Sequence, residues 1–455
     1  MSLNPSAQRF SRLRAIALAL RVFRLLATAL ALRVSAAIVC LLIGIAAVHQ
    51  YRVAYDVHGT LIAFPEPLAT AYSIRHLGVF GNPFSTLNTG PSTHLAPLFP
   101  GFLALVLRLF GEGPTAAYIC EWSAAIAAAL LVATLPLISQ CLGMGFFTGV
   151  LASVLWLVAK MKVFPYWEAT YTSVLVAVAT CMFYRRLQTA QPFPRSKGIL
   201  LGFMIGVLLL LTPTVAVVLA CWLMWLLRKD GLRSFISFNL PLILIPAAMV
   251  LPWMVRNYIV FHRIIPFRGN LGLELSVSNN DCAVYAIRKS EAIHCFDKIH
   301  PNLSIDEAKK LLSLGEPRYN DLQFRQALSW IANHPRRFLL LSRERFVAFW
   351  FPNENGDPVD EVFTRRVEPR IQRILVYGTT FLSVVGLFFL TVRDTHGALI
   401  VGLWLGIYPL IYYFVQYEDR YRYPIMWITF LLAAYPVAVL SRRLNARRKV
   451  QRFKA

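Results

Sequence analysis

Eleven apolar runs almost free of charge, separated by polar stretches, constrain this chain more than any other feature of its sequence. They are Val34–Gln50, Pro97–Phe110, Ala117–Leu137, Phe146–Ala159, Thr172–Phe183, Gly198–Leu211, Thr214–Leu227, Leu240–Trp253, Ile374–Val392, Ala398–Val415 and Ile425–Leu440. With its flanks, each approaches the roughly 20 residues a helix needs to cross hydrocarbon. Lipid offers the backbone no hydrogen-bond partners, so such runs fold as helices. Hydrophobic residues make up 57% of the 455 positions and charged residues 15%. A mean hydropathy of +0.55 is too high for an ordinary soluble enzyme. The expectation is an all-α polytopic membrane protein, a bundle of about 10–12 transmembrane helices.

The net charge of +23 does not point to nucleic acid, because no solvated domain gathers the basic residues. They cluster at the chain ends instead. Residues 1–33 carry six arginines and no acid, and read as a basic amphipathic helix on the inner leaflet rather than a cleaved signal; residues 441–455 form a basic tail. By the positive-inside rule both termini are cytoplasmic, in a multi-pass protein of the inner (plasma) membrane. Two cytoplasmic ends need an even number of crossings. One of the four candidates between positions 96 and 185 must therefore not cross fully, unless one run is miscounted.

Residues 34–258 read as an N-terminal membrane module with a first outer loop at 51–96, residues 259–370 as an extracytoplasmic cap, and residues 371–440 as the C-terminal spans. Both outer segments are too long to be connectors. Of seven cysteines, Cys282 and Cys295 share the second outer segment, and form a disulfide if that side is oxidising. No CxxC, HExxH, GxGxxG, GxxxxGK[ST] or GxSxG motif occurs, so zincin, soluble-nucleotide and hydrolase-elbow chemistries lack support.

Topology gathers ionisable residues on one face: Asp56, Glu66 and His94 from the first outer loop, Lys160, Lys162 and Glu168 after the fourth run, Arg256, Arg268 and Glu274 from the second outer segment. Glu418, Asp419, Arg420, Tyr421 and Arg422 lie between the last two runs. Such groups at the mouth of apolar runs are costly unless they pair or act on a ligand. An acid able to take a proton, beside cations able to hold phosphate, is equipment for displacing a phosphate leaving group.

The stretches Pro65–Ala71, Leu77–Phe80 and Thr89–Pro100 resemble the first outer loop and following helix of GT-C class membrane glycosyltransferases. The likeness is to bacterial family 39 enzymes, the protein mannosyltransferases and aminoarabinose transferase among them. Pro252–Tyr258, Pro266–Glu274, Asn333–Pro335 and Arg420–Pro424 extend it over most of residues 34–440. The resemblance implies an inverting transferase with a polyprenyl-phosphate-linked sugar donor, a lipid, glycan or protein acceptor, and an extracytoplasmic active site. It also implies an acidic base in the first outer loop. Many members place an Asp five residues before an Ala; here Glu66 stands five before Ala71, and Asp56, directly after the first run, is its rival. The proposed anion holders are Arg256, Arg268, Arg420 and Arg422, with His94, Lys160, Lys162, Glu168 and Tyr421 as further substrate contacts. Whether a divalent cation takes part stays open.

Plainer readings stand beside these. Glu66 also suits a helix start, and His94 simple packing. Lys160 and Lys162 suit snorkelling anchors, Arg256 and Arg268 interfacial anchors, and Arg420 with Arg422 an ion-pair cluster with Glu418 and Asp419. A lipid-linked saccharide flippase or a non-catalytic envelope protein would share this composition. A flippase, however, shows charges near mid-membrane, and this chain's gather at one mouth.

Overall fold

The computed structural model describes residues 65–158, 168–189, 194–352 and 369–454. Every regular element among them is helical. In chain order they are α1 (Pro65–Leu77), α2 (Leu98–Phe110), α3 (Pro114–Cys141), α4 (Phe146–Val158), α5 (Ala169–Gln188), α6 (Arg195–Leu211), α7 (Ala216–Asp230), α8 (Leu232–Asn239) and α9 (Pro241–Phe261). Then come α10 (Leu271–Ser278), α11 (Ile287–Ala292), α12 (Phe296–Ile299), α13 (Ile305–Leu314), α14 (Glu316–Asn333), α15 (Pro335–Trp350), α16 (Pro369–Arg393), α17 (Thr395–Gly406) and α18 (Tyr423–Lys454). The ten apolar runs in the described residues lie mainly on these helices, Ala398–Val415 passing from α17 into a 3-10 helix at Tyr408–Tyr413; Ala159, Val34–Gln50 and the 1–33 segment lie outside them. Five stretches are long and apolar enough to cross a membrane: Pro114–Cys141, Pro241–Phe261, Ile374–Arg393, Thr395–Tyr413 and Tyr423–Leu444. The chain is an all-α, multi-pass membrane protein.

Side-chain contacts define the two ends of the bundle. At one end Arg186 pairs with Asp230, Tyr184 donates to Asp394, Lys229 Nζ donates to Leu187 O at 2.6 Å, and Arg442 donates to Met144 O. This end carries Arg185, Arg186, Arg195, Lys197, Arg228, Lys229, Arg233, Arg442 and Arg443. At the other end Ser123 bonds Tyr171 at 2.6 Å, Thr214 bonds Tyr412 at 3.0 Å, and Trp156 meets Tyr423 edge-on. Helices α3, α4, α5, α6, α7, α9, α16, α17 and α18 each run between the two ends.

Helix α2 does not. Its Phe99 and Phe102 pack against Tyr171, at the Ser123 end, while Glu112, just past its last residue, pairs with Arg75 of α1 at 3.0 Å. Glu66 of α1 and Phe99 of α2 lie at the same end of the bundle as the cap.

The cap, α10 to α15, is a helical layer closed by the Cys282–Cys295 disulfide, whose Cα atoms are 5.7 Å apart. Gly272 seats α10 on the cap: a Cβ there would lie 2.0 Å from Asn320 O of α14. Buried Arg345 of α15 then ties the cap to the last membrane hairpin by donating to Asn279 Oδ1 and Phe414 O.

Candidate functional site

Glu66 opens α1 between Pro65 and Pro67. Prolines suit the first helical turn because its N–H groups have no partner within the helix, and an acid there faces the positive end of the helix dipole. The helix stops at Gly78, whose φ of +66° suits a glycine terminator. The chain then doubles back through the Gly81–Pro91 bridge. Gly81 is required at that crossing, since a Cβ would lie 2.2 Å from Gly90 O. This return brings His94 alongside Glu66.

The resulting cluster joins the first loop to the cap. His94 Nε2 lies 3.4 Å from Glu66 Oε2, and His300 Nε2 lies 3.9 Å from Oε1. Phe84 packs edge-on against both imidazoles, and Phe296 stacks on His300. Both histidines are buried, while the Glu66 side chain keeps 14% of its surface exposed. Burial opposes the Glu66 charge, yet the charge and hydrogen bond of His94, with His300 and Arg420 beyond, outweigh it and hold the carboxyl at about 2. His94 is shifted upward: burial works against its charge, but Glu66 more than compensates. His300 is lowered to about 4, chiefly by burial, so it is neutral at physiological pH.

Glu66, His94 and His300 are also the one group among the described residues able to present three ligand atoms within 4.8 Å of one another. The Glu66–His94 spacing fits a tetrahedral cation at ordinary bond lengths. His300 does not fit. Its Nδ1 accepts the backbone N–H of Asn302 at 3.1 Å, so the neutral ring carries its proton on Nε2, the nitrogen facing Glu66. A metal-ligating imidazole normally has the reverse arrangement, donating from its remote nitrogen. The cluster is a carboxylate held between two imidazoles.

Glu66 forms part of the wall of a cavity of about 300 Å³ at the cap end of the bundle. Facing it are Glu168, Arg268, Glu274, Arg420 and Tyr421, with Thr212, Thr214, Tyr408 and Tyr412 forming the deeper wall. Arg268 is aimed by a 2.8 Å bond from its Nε to His94 O. Arg420 Nε pairs with Glu418 at 2.7 Å, and burial, which disfavours its charge, is outweighed by Glu418, Tyr421, Glu168 and Glu66. Tyr412 stacks on Tyr421 at 4.4 Å between ring centres.

Of the residues expected at the site, Glu66, Glu168, Arg268, Arg420 and Tyr421 meet around this cavity, and His94 stands directly behind Glu66. Two arginines are placed elsewhere. Arg256 donates to Phe80 O and Ser92 O and sits over Trp253 and Phe261, bracing the outgoing and returning arms of the first outer loop. Arg422, 2% exposed, donates to Trp350 O and Thr380 Oγ1 and covers the Trp350 ring. Their terminal guanidinium nitrogens bond protein groups, and neither lines the cavity. Asp56, Lys160 and Lys162 lie outside the described residues. His300 was missed from the sequence, since one histidine in a long polar segment carries no motif, and so were the Tyr408–Tyr412 wall and Thr214.

No family model and no curated protein matches the chain. Among solved structures it is similar to the oligosaccharyltransferase of Archaeoglobus fulgidus in complex with zinc and sulfate, with 13% identity over 90% of this chain and a TM-score of 0.46. It spans 50% of that protein's length. It is also similar to ArnT of Cupriavidus metallidurans bound to undecaprenyl phosphate, with 12% identity over 87% of this chain and 76% of that one, and a TM-score of 0.37.

Proposed function

We propose that the chain is an integral membrane glycosyltransferase that moves a sugar from a polyprenyl-phosphate donor to an acceptor hydroxyl on the extracytoplasmic face, with inversion. The observation that supports this most directly is the cavity itself, whose lining includes Glu66 together with Arg268 and Arg420. The donor's phosphate lies against Arg268 and Arg420, and its isoprenoid tail passes into the bilayer beside the spans. The acceptor oxygen attacks the anomeric carbon from the face away from the phosphate. As that C–O bond forms, the bond from carbon to phosphate oxygen breaks, and polyprenyl phosphate leaves with the electron pair. The attacking hydroxyl becomes strongly acidic during bond formation, so the carboxylate takes its proton even though His94 weakens it as a base. Cations facing a developing phosphate charge in a poorly hydrated cleft stabilise it far more than in water.

The basic end of the bundle is the cytoplasmic one in this reading. The cavity and the disulfide then share the extracytoplasmic side, which agrees with where disulfides persist.

The direct test is binding of polyprenyl phosphate alone to the purified protein, followed by Arg268→Ala. Saturable binding in the wild type that Arg268→Ala weakens supports the reading. A wild type that neither binds the lipid phosphate nor transfers sugar from any polyprenyl-phosphate donor overturns it.

A further inference from the structure

Glu66 and His94 face each other only because the Ser92–Thr93–His94 segment is fixed in register, and the fixing group comes from the cap. Glu316, the first residue of α14, is 5% exposed, and its Oε1 accepts from both the backbone N–H and the hydroxyl of Thr93, each at 2.6 Å. Two donors converging on one buried carboxylate oxygen make a strong, directional clamp. The neighbouring bonds are consistent with it: Gly269 N–H donates to Thr93 O at 2.9 Å, and Arg268 Nε donates to His94 O. The cap grips the same loop again nearer its tip, where Ser85 N–H donates to Asn302 Oδ1 at 3.0 Å. Glu316 itself is absent from the cavity wall.

We propose that Glu316 is a positioning residue. Acting through Thr93, it sets the place of His94, and so the orientation of the Glu66 carboxylate toward the cavity. The clamp couples cap docking to assembly of the site: a cap lifted from the first loop would release Thr93 and withdraw His300 together. The catalytic part of this inference rests on the transferase reading; the structural part does not.

Two measurements test it. The first is hydrogen–deuterium exchange of the peptide covering residues 88–98 in wild type, Glu316→Ala and Thr93→Val, the last removing only the hydroxyl donor at near-constant shape. Loss of protection confined to that peptide is expected, and unchanged protection in both variants overturns the clamp. The second is kinetics in single and double variants. Glu316→Ala should lower kcat on the order of 10²-fold, the scale of a misplaced catalytic group, with KM for the donor unchanged, while Glu316→Gln, which keeps an acceptor oxygen, recovers most of the rate. In a His94→Ala background Glu316→Ala should cost nothing further. Multiplying losses would overturn the positioning role and leave a merely structural one. If no polyprenyl-phosphate donor is used by the wild type, the transferase reading fails while the exchange measurement still decides the clamp.

Discussion

His300 presents its Nε2 to Glu66 Oε1 at 3.9 Å while its Nδ1 accepts the Asn302 backbone N–H, so the cap holds a neutral imidazole against the carboxylate of the first outer loop. This arrangement has a pH signature. The folded pKa of His300, about 4, is below its ordinary 6.5. The unfolded chain therefore binds the proton more readily, and stability falls as pH drops through the window between these values. His94, shifted upward, changes stability only above 6.5, and Glu66, lowered from 4.5 to about 2, only below 4.5. Between pH 6.5 and 4.5, His300→Gln should lose less stability than wild type, a difference on the order of 2 kcal/mol. Parallel melting curves across that window would count against the buried neutral histidine.

The same tautomer decides the metal question. Binding a cation through His300 Nε2 would require removing its proton and giving up the Asn302 contact. Zinc or manganese at micromolar levels should therefore leave the melting temperature and activity of the chelator-treated protein unchanged. A metal-dependent rise in melting temperature that His300→Gln abolishes would show that the ring reorients to ligate.

Glu66→Gln keeps the side chain's size and one acceptor oxygen but removes the proton acceptor. The turnover rate should fall about 10²–10⁴-fold with polyprenyl phosphate affinity retained. If Glu66→Gln turns over near normally and Asp56→Asn does not, the role of base belongs to Asp56.

The spans were legible because an uncharged apolar run has few alternatives to a membrane helix, and the runs among the described residues lie mainly on helices. Helix α2 resisted the sequence because its Pro97–Phe110 run matches the others in composition; its packing on Tyr171 and the Arg75–Glu112 pair show where it lies. At the site, Glu66 could be singled out from its register to Ala71. Arg256 and Arg422 could not be told apart from Arg268 and Arg420, because what separates them is whether backbone carbonyls such as Phe80 O and Trp350 O take up their donors. Carbonyl partners leave no trace in side-chain sequence. His300 and Glu316 were invisible for a related reason: each meets its partner through folding of the cap onto a distant loop.

The contrast between arginines is measurable. Arg422→Ala removes donors from two buried acceptors, Trp350 O and Thr380 Oγ1, which should cost roughly 2–4 kcal/mol of stability and leave lipid phosphate affinity per folded molecule unchanged. Arg268→Ala should do the reverse, weakening polyprenyl phosphate binding with little change in melting temperature, and Arg268→Lys should recover part of it. Equal affinity losses in Arg268→Ala and Arg422→Ala would return Arg422 to the anion site.

The proposed sidedness can be read with one cysteine at each end of the bundle. Lys309 is exposed on the cap and Arg233 is exposed at the basic end. In a background lacking the thiols of Cys40, Cys120, Cys141, Cys181 and Cys221, Lys309→Cys should react with a membrane-impermeant thiol reagent in intact cells, and Arg233→Cys only after permeabilisation. In the proposed orientation the basic loops stay where the membrane retains positive charge, and the cavity lies at the opposite end of the bundle. Labelling of Arg233→Cys in intact cells, with Lys309→Cys protected, would place Glu66 and Arg268 on the cytoplasmic side and remove the extracytoplasmic acceptor from the mechanism.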